Sequence, residues 1–141
     1  MKYRNFPRRA RGFTLLEIVI VLIILGTVMA FVAPKIFGNL EKANQAMAKA
    51  RIEQLSGQLE IFKLEVGRYP NSQEGLQSLV AKPGGLDKWN GPYVKDAAIL
   101  KDPWGNDFRY TSPGSAKPFD LVSLGADGKE GGEGENRDIG N

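Results

Sequence analysis

The 141-residue chain contains no cysteine and no histidine. Without cysteine there is no disulfide, no thiolate nucleophile and no thiol-held metal, and the redox compartment cannot be read from the chain. Without histidine the commonest metal ligand and the commonest general base at neutral pH are both missing. Acidic residues are absent before Phe13, whereas Lys2, Arg4, Arg8, Arg9 and Arg11 all fall there. The formal charge of +3 therefore belongs to the leading segment, because 14 basic face 16 acidic residues from Phe13 onward. The remaining basic residues are scattered singly among acids, so no nucleic-acid-binding face is indicated.

What is present is one long apolar run. From Phe13 to Ala33 almost every side chain is apolar, and that length as a helix covers about 31 Å, the thickness of a bilayer's hydrocarbon core. Glu17 is the only ionisable group inside it. A carboxylate at that depth costs several kcal/mol unless a positive group meets it. The basic flank stays on the cytoplasmic side, which directs the rest of the chain outward. A plain secretory signal shares this layout, and Val28-Met29-Ala30 offers a small-residue cleavage site. The glutamate within the run, the run's length and the helical periodicity beyond the cut argue against it.

Pro34 removes a backbone donor, and a kink or a locally melted turn is expected there. Ile36, Leu40, Ala43 and Met47, then Ile52, Leu55, Leu59, Phe62 and Val66, succeed one another at helical spacing. One helix from Phe13 to Val66 results. Its stripe over residues 52–66 is expected to pack on the chain's own sheet, while residues 36–50 stay open between that role and packing on other subunits. Gly67 stops the helix. Asn71 and Glu74 form a capping-box pair that starts a short helix carrying Leu76, Leu79 and Val80. Residues 86–100 read as loop anchored by Trp89, Tyr93 and Ile99. Phe108 and Tyr110, then Phe119, Leu121 and Ser123, alternate as two strands joined by Ser112-Pro113-Gly114-Ser115. Two short strands alone are marginal in water and must lean on the helix, giving an α+β fold with one small soluble domain.

Gly12-Phe13-Thr14-Leu15-Leu16-Glu17 resembles the class III signal of type IV pilins and type II secretion pseudopilins. The resemblance implies that a membrane prepilin peptidase cuts between Gly12 and Phe13 and N-methylates Phe13, and that Glu17 pairs with the new α-amino group of a neighbouring subunit. Gly67-Arg68-Tyr69-Pro70, Glu74-Gly75-Leu76, Gly91-Pro92-Tyr93, Asp102-Pro103-Trp104-Gly105-Asn106 and Leu124-Gly125-Ala126-Asp127-Gly128 are similar to the major pseudopilins of type II secretion, across effectively the whole mature chain. Type IVa pilins usually close a C-terminal loop with a disulfide, which this chain cannot form. The pilin-like division implied is a leader, 1–12, removed on processing; a transmembrane helix, 13–33; its periplasmic continuation, 34–66; and a globular part, 67–141. The implied function is that of a structural subunit of a periplasmic pseudopilus that helps drive folded exoproteins across the outer membrane. Its implied partners are copies of itself, minor pseudopilins, the prepilin peptidase and the inner-membrane assembly platform, with no nucleic acid. A type IV pilus-like subunit serving adhesion, motility or DNA uptake is the alternative.

The eighteen residues from Leu124 hold six glycines and five acids, Asp127, Glu130, Glu133, Glu135 and Asp138. Such backbone is too polar and too entropically costly to pack unaided, which leaves a disordered tail as one reading. Calcium is the other, since it accepts carboxylates, carbonyls and water in a flexible shell. The spacing excludes an EF-hand. The resemblance implies a Ca²⁺ loop over 124–139 that uses the Leu124 carbonyl, Asp127 and Asp138; Arg137 stands where the family carries a first acid, and Glu135 or Asn136 is the substitute. A tethered hydrolase built on the tail acids is the enzymatic reading, but nothing apolar brackets those acids to raise a pKa, so no enzyme is expected. The processing expectation is checked by mass spectrometry of membrane-extracted protein. It should give a chain beginning at Phe13 with one added methyl; a terminus at Phe31 would return the ordinary signal peptide.

Overall fold

The computed structural model describes residues 12–141. Residues 1–11 of the expected leader lie outside that range. The chain divides into two compact units, one ending at Gly38 and one covering Asn39–Asn141. Helix α1, Leu15–Val66, contributes to both.

In the first unit an apolar stretch of α1 has a mean hydropathy of 2.9 and none of it is buried. It is long and apolar enough to cross a membrane, and exposed apolar surface on that scale is unfavourable in water. The helical assignment continues through Pro34. The expected melted turn is therefore absent, because proline deletes only its own bond to the carbonyl four residues back while long helical flanks keep the ladder on either side.

In the second unit α1 buries Ala48, Ile52, Leu55, Leu59 and Phe62, the last four at steps of three, four and three. That period puts them on one face. Against it pack Leu76, Leu79, Val94, Leu100, Phe108, Phe119 and Leu121, with Val66, Tyr69, Trp89, Tyr93 and Ile99 partly buried around them. Aromatic rings close the margin: Phe62 to Tyr93 at 5.4 Å between centroids and Tyr69 to Phe119 at 5.1 Å, within the range where edge and tilted pairs attract.

Gly67, at φ +92°, ends α1, its N–H donating to the Lys63 carbonyl at 2.8 Å. The capping box forms as expected. Asn71 Oδ1 accepts from the Gln73 and Glu74 amides, both at 2.9 Å, and the Asn71 amide donates to Glu74 Oε2 at 2.8 Å. The box leads into a 3₁₀ turn, Leu76–Leu79, rather than an α-helix. Gly75 breaks the run with φ +58° and ψ −167°, and the Ser78 hydroxyl donates to its carbonyl at 2.6 Å. Arg68 donates two hydrogen bonds to Glu74, at 2.6 and 2.7 Å, and this pairing holds the Glu74 carboxyl below its usual range. Between residues 86 and 100 a second 3₁₀ turn, Ala97–Leu100, is capped by Asp96, whose Oδ1 accepts the Ala98 amide at 2.8 Å.

Among the described residues the sheet has three antiparallel strands in the order β1, Arg109–Thr111, β2, Asp120–Ser123, and β3, Ile139–Gly140. Tyr110 stands opposite Leu121, and Val122 opposite Gly140. Phe108 and Phe119, expected inside the strands, sit one residue before each. The unexpected β3 is fastened by Asn141, whose amide donates to the Leu121 carbonyl at 3.1 Å while its Oδ1 accepts from the Leu121 amide at 3.0 Å.

Burial separates the two faces of α1 and predicts their mutational cost. Leu59 is fully buried and Leu64 is 82% exposed. In urea unfolding of a fragment beginning near Lys35, Leu59→Ala should lose about 2–5 kcal/mol, and Leu64→Ala should stay within about 0.5 kcal/mol of the parent. Equal losses would mean that the stripe is misassigned.

Candidate functional site

At the N-terminal end, Gly12 and Phe13 precede α1 and are exposed. Thr14 is the helix cap. Its Oγ1 accepts the Glu17 amide at 3.2 Å and its carbonyl accepts the Ile18 amide at 3.2 Å, so Thr14-Leu15-Leu16-Glu17 uses the threonine half of a capping box. This explains why α1 begins at Leu15 instead of Phe13. Glu17 occupies the third helical position, where unpaired amides and the helix dipole favour a negative charge. The sequence carried this signal as Thr-x-x-Glu, hidden by the apolar run around it. Among the described residues Glu17 makes no ion pair.

The acidic tail folds back on itself. The Ala126 amide donates to the Glu135 carbonyl at 2.8 Å, and the Asn136 amide to the Glu133 carbonyl at 3.1 Å. Gly125, at φ +68°, lies so close to Asn136 that a Cβ there would stand 2.6 Å from the Asn136 carbonyl carbon. Only glycine fits. Gln45 ties the loop to α1, donating to the Gly134 carbonyl at 2.9 Å. Of the expected ligands, Leu124 is half-buried and Asp127 is exposed, with its Oδ1 accepting the Lys129 amide at 3.1 Å. Asp138 Oδ2 accepts the Gly131 amide at 3.0 Å, whereas Asp138 Oδ1 is buried without a hydrogen-bond partner among the described residues. Glu135 and Arg137 are exposed and Asn136 is half-buried.

Among the described residues no three acidic side chains gather into a metal-holding cluster. Asp127 and Asp138 thus belong to no such cluster, and an ion at either would draw on carbonyl oxygens as well. The donor set is all oxygen, which suits calcium. An unpaired buried carboxylate oxygen is costly unless a cation or donor meets it. The tail fits the ion at Asp138.

Sequence reading missed the support beneath this loop. Asp102 is buried, and Ser123 Oγ donates to its Oδ2 at 2.7 Å while the Trp104 and Asn106 amides donate to its Oδ1 at 3.1 and 2.8 Å. Asn106 Nδ2 in turn donates to the Gly125 carbonyl at 2.8 Å. A turn motif and the tail loop are thereby held as one hydrogen-bonded network, in which both oxygens of the buried carboxylate have partners.

The family model described as Type II secretion system (T2SS), protein G matches residues 35–141. The chain belongs to this family. A second model, the prokaryotic N-terminal methylation motif, matches residues 7–33, the segment that contains Gly12, Phe13 and Glu17. The type II secretion system core protein G of Vibrio cholerae is 47% identical, covering 95% of this chain and 92% of that protein. Its counterpart in Pseudomonas aeruginosa is 44% identical, covering 95% and 96%. The crystal structure of the major pseudopilin from the type 2 secretion system of enterohaemorrhagic Escherichia coli is similar with a TM-score of 0.61 at 32% identity, covering 74% of this chain and 91% of that one. The protein G match takes in both the stripe of α1 and the network of Asp102, Asn106 and Ser123.

Proposed function

We propose that the chain is the repeating structural subunit of a pseudopilus in type II secretion, made in the inner membrane with its N-terminus cytoplasmic and its C-terminal part periplasmic. One observation carries the reading. Beyond the membrane-length segment, α1 leaves Ile36, Phe37, Leu40 and Met47 exposed by 58%, 69%, 55% and 47%, although the same helix buries its later stripe completely. Apolar surface arranged like this is covered by other helices of the same kind when subunits assemble, each large side chain contributing about 1.5–3 kcal/mol on full burial. Cleavage by the prepilin peptidase between Gly12 and Phe13 frees an α-amino cation, and Glu17, in the first turn of α1, is its counter-charge on the neighbouring subunit. Growth of the fibre from the inner-membrane assembly platform, with minor pseudopilins as further partners, pushes folded exoproteins toward the outer membrane. The subunit catalyses nothing.

The tail loop is proposed to hold Ca²⁺ through Asp138, Asp127 and the Leu124 carbonyl, with Glu135 or Asn136 completing the shell and Arg137 excluded by its charge. The supporting observation is the partnerless Asp138 Oδ1. The ion supplies charge neutralisation and cross-links the loop; the chain's own residues order the rest.

Glu17→Ala removes the counter-charge without removing apolar length. Membrane insertion should be unchanged while cross-linked ladders of subunits disappear; normal ladders would remove the assembly role from Glu17. For calcium, binding only to the folded state adds about 2.7 kcal/mol when the ion exceeds Kd a hundredfold. EDTA should lower the melting temperature of a fragment beginning near Lys35 and open residues after Leu124 to protease, and Asp127→Ala should reproduce this without chelator, with Asp138→Ala doing so at least in part. A melting temperature indifferent to EDTA would leave the loop a metal-free tail.

A further inference from the structure

Two cavities lie end to end between α1 and β3. The first, about 430 Å³, is lined by Lys42, Gln45 and Lys49 of α1 and by Arg137, Asp138 and Gly140 of the tail. The second, about 330 Å³, is lined by Lys49, Ile52, Glu53 and Ser56 of α1 and by Gly140 and Asn141. Lys49 and Gly140 belong to both, which makes them one groove along the helix.

The groove has an unused sheet edge for a wall. Among the described residues β3 pairs only with β2. Asn141 bonds back to Leu121, so by the alternation of an antiparallel ladder the Gly140–Val122 pair is the non-bonded kind, and the Gly140 N–H and C=O face away from β2 toward the groove. Gly140 has no side chain to keep another backbone away. A free edge of this kind is a template for one more strand.

Charge sets the chemistry of that strand. At the first cavity Lys42, Lys49 and Arg137 stand against Asp138 alone, and among the described residues none of the three cations makes an ion pair. At the second, Glu53 offsets Lys49, Ile52 supplies an apolar floor, and Ser56 Oγ is buried with no hydrogen-bond partner among the described residues. The groove is therefore basic at one end and close to neutral, with an unmet hydroxyl, at the other.

We propose that this groove receives an extended segment of another polypeptide, which pairs with the β3 edge at Gly140 and lays acidic side chains on Lys42, Lys49 and Arg137. The chain's own exposed acids make a poor occupant. Glu130, Glu133 and Glu135 lie in a glycine-rich loop of turns tied down at Ala126 and Gln45, and not in an extended strand. The proposal is independent of the calcium reading, since it needs Asp138 neither free nor occupied.

The probe is a blocked eight-residue peptide, Glu-Val-Glu followed by alternating Thr and Val, titrated into the processed full chain in detergent micelles and followed by amide NMR. Shifts should concentrate at Gly140 and along Lys42 to Ser56. Paired reversal, Lys42→Glu with Lys49→Glu, on two exposed side chains, should weaken binding about tenfold, as loss of two surface attractions and gain of two repulsions implies. A peptide with Lys in place of Glu should bind at least about tenfold more weakly. Gly140→Pro, which deletes the edge donor, should abolish the shifts; if that variant does not fold, the paired reversal decides alone. Absence of binding, equal binding of the two peptides, or shifts away from Gly140 overturns the proposal. Displacement of the peptide by self-association, with the Gly140 amide protected, assigns the groove to a second copy and overturns the partner chosen here.

Discussion

The Asn39–Asn141 unit depends on the burial of one stripe of α1. Its strands are three, four and two residues long, too short to be stable without a surface to cover. Ile52, Leu55, Leu59 and Phe62 provide that surface, and they gather the 3₁₀ turns, the aromatic margin and the sheet into one core. Remove the stripe and Leu76, Leu79, Leu100, Phe119 and Leu121 have nothing in common to pack against.

The same helix serves two other environments. From Leu15 to Ala33 it is apolar on all sides and Glu17 is its only ionisable group, sitting where helix geometry itself tolerates a carboxylate. After Pro34 the large apolar side chains remain uncovered until Ala48. A sequence that buries one stretch of a helix completely and leaves another bare is specifying an assembly as well as a fold.

Much of this was legible in the residues, for identifiable reasons. An apolar run of bilayer length followed by a helical period from Ile36 to Val66 leaves little alternative, so the helix, the core stripe and the stop at Gly67 were all readable. The Asn71–Glu74 box was readable too, but the element behind it was not, because Gly75 and the Ser78 hydroxyl divert the backbone into a 3₁₀ turn. β3 could not be read, since two residues show no alternation and its place depends on the Asn141 side chain reaching Leu121. In the tail the acids and glycines announced polar, turn-rich backbone. Which oxygen stays unpaired, Asp138 Oδ1, and which distant residue holds the loop's entrance, Asn106, are consequences of tertiary contact.

The chain's lack of cysteine allows the central claim, that one face of α1 is kept for other subunits while another closes the chain's own core, to be measured by single-cysteine labelling. Cysteine placed singly at Phe37, Leu40 and Met47 should react with a membrane-permeant maleimide in detergent-dispersed subunits and be protected in assembled fibres. Cysteine at Leu59, inside the fully buried internal stripe, should stay protected in both. Equal reactivity of residues 37, 40 and 47 before and after assembly would contradict the account, because the apolar face of α1 would then remain uncovered in the fibre.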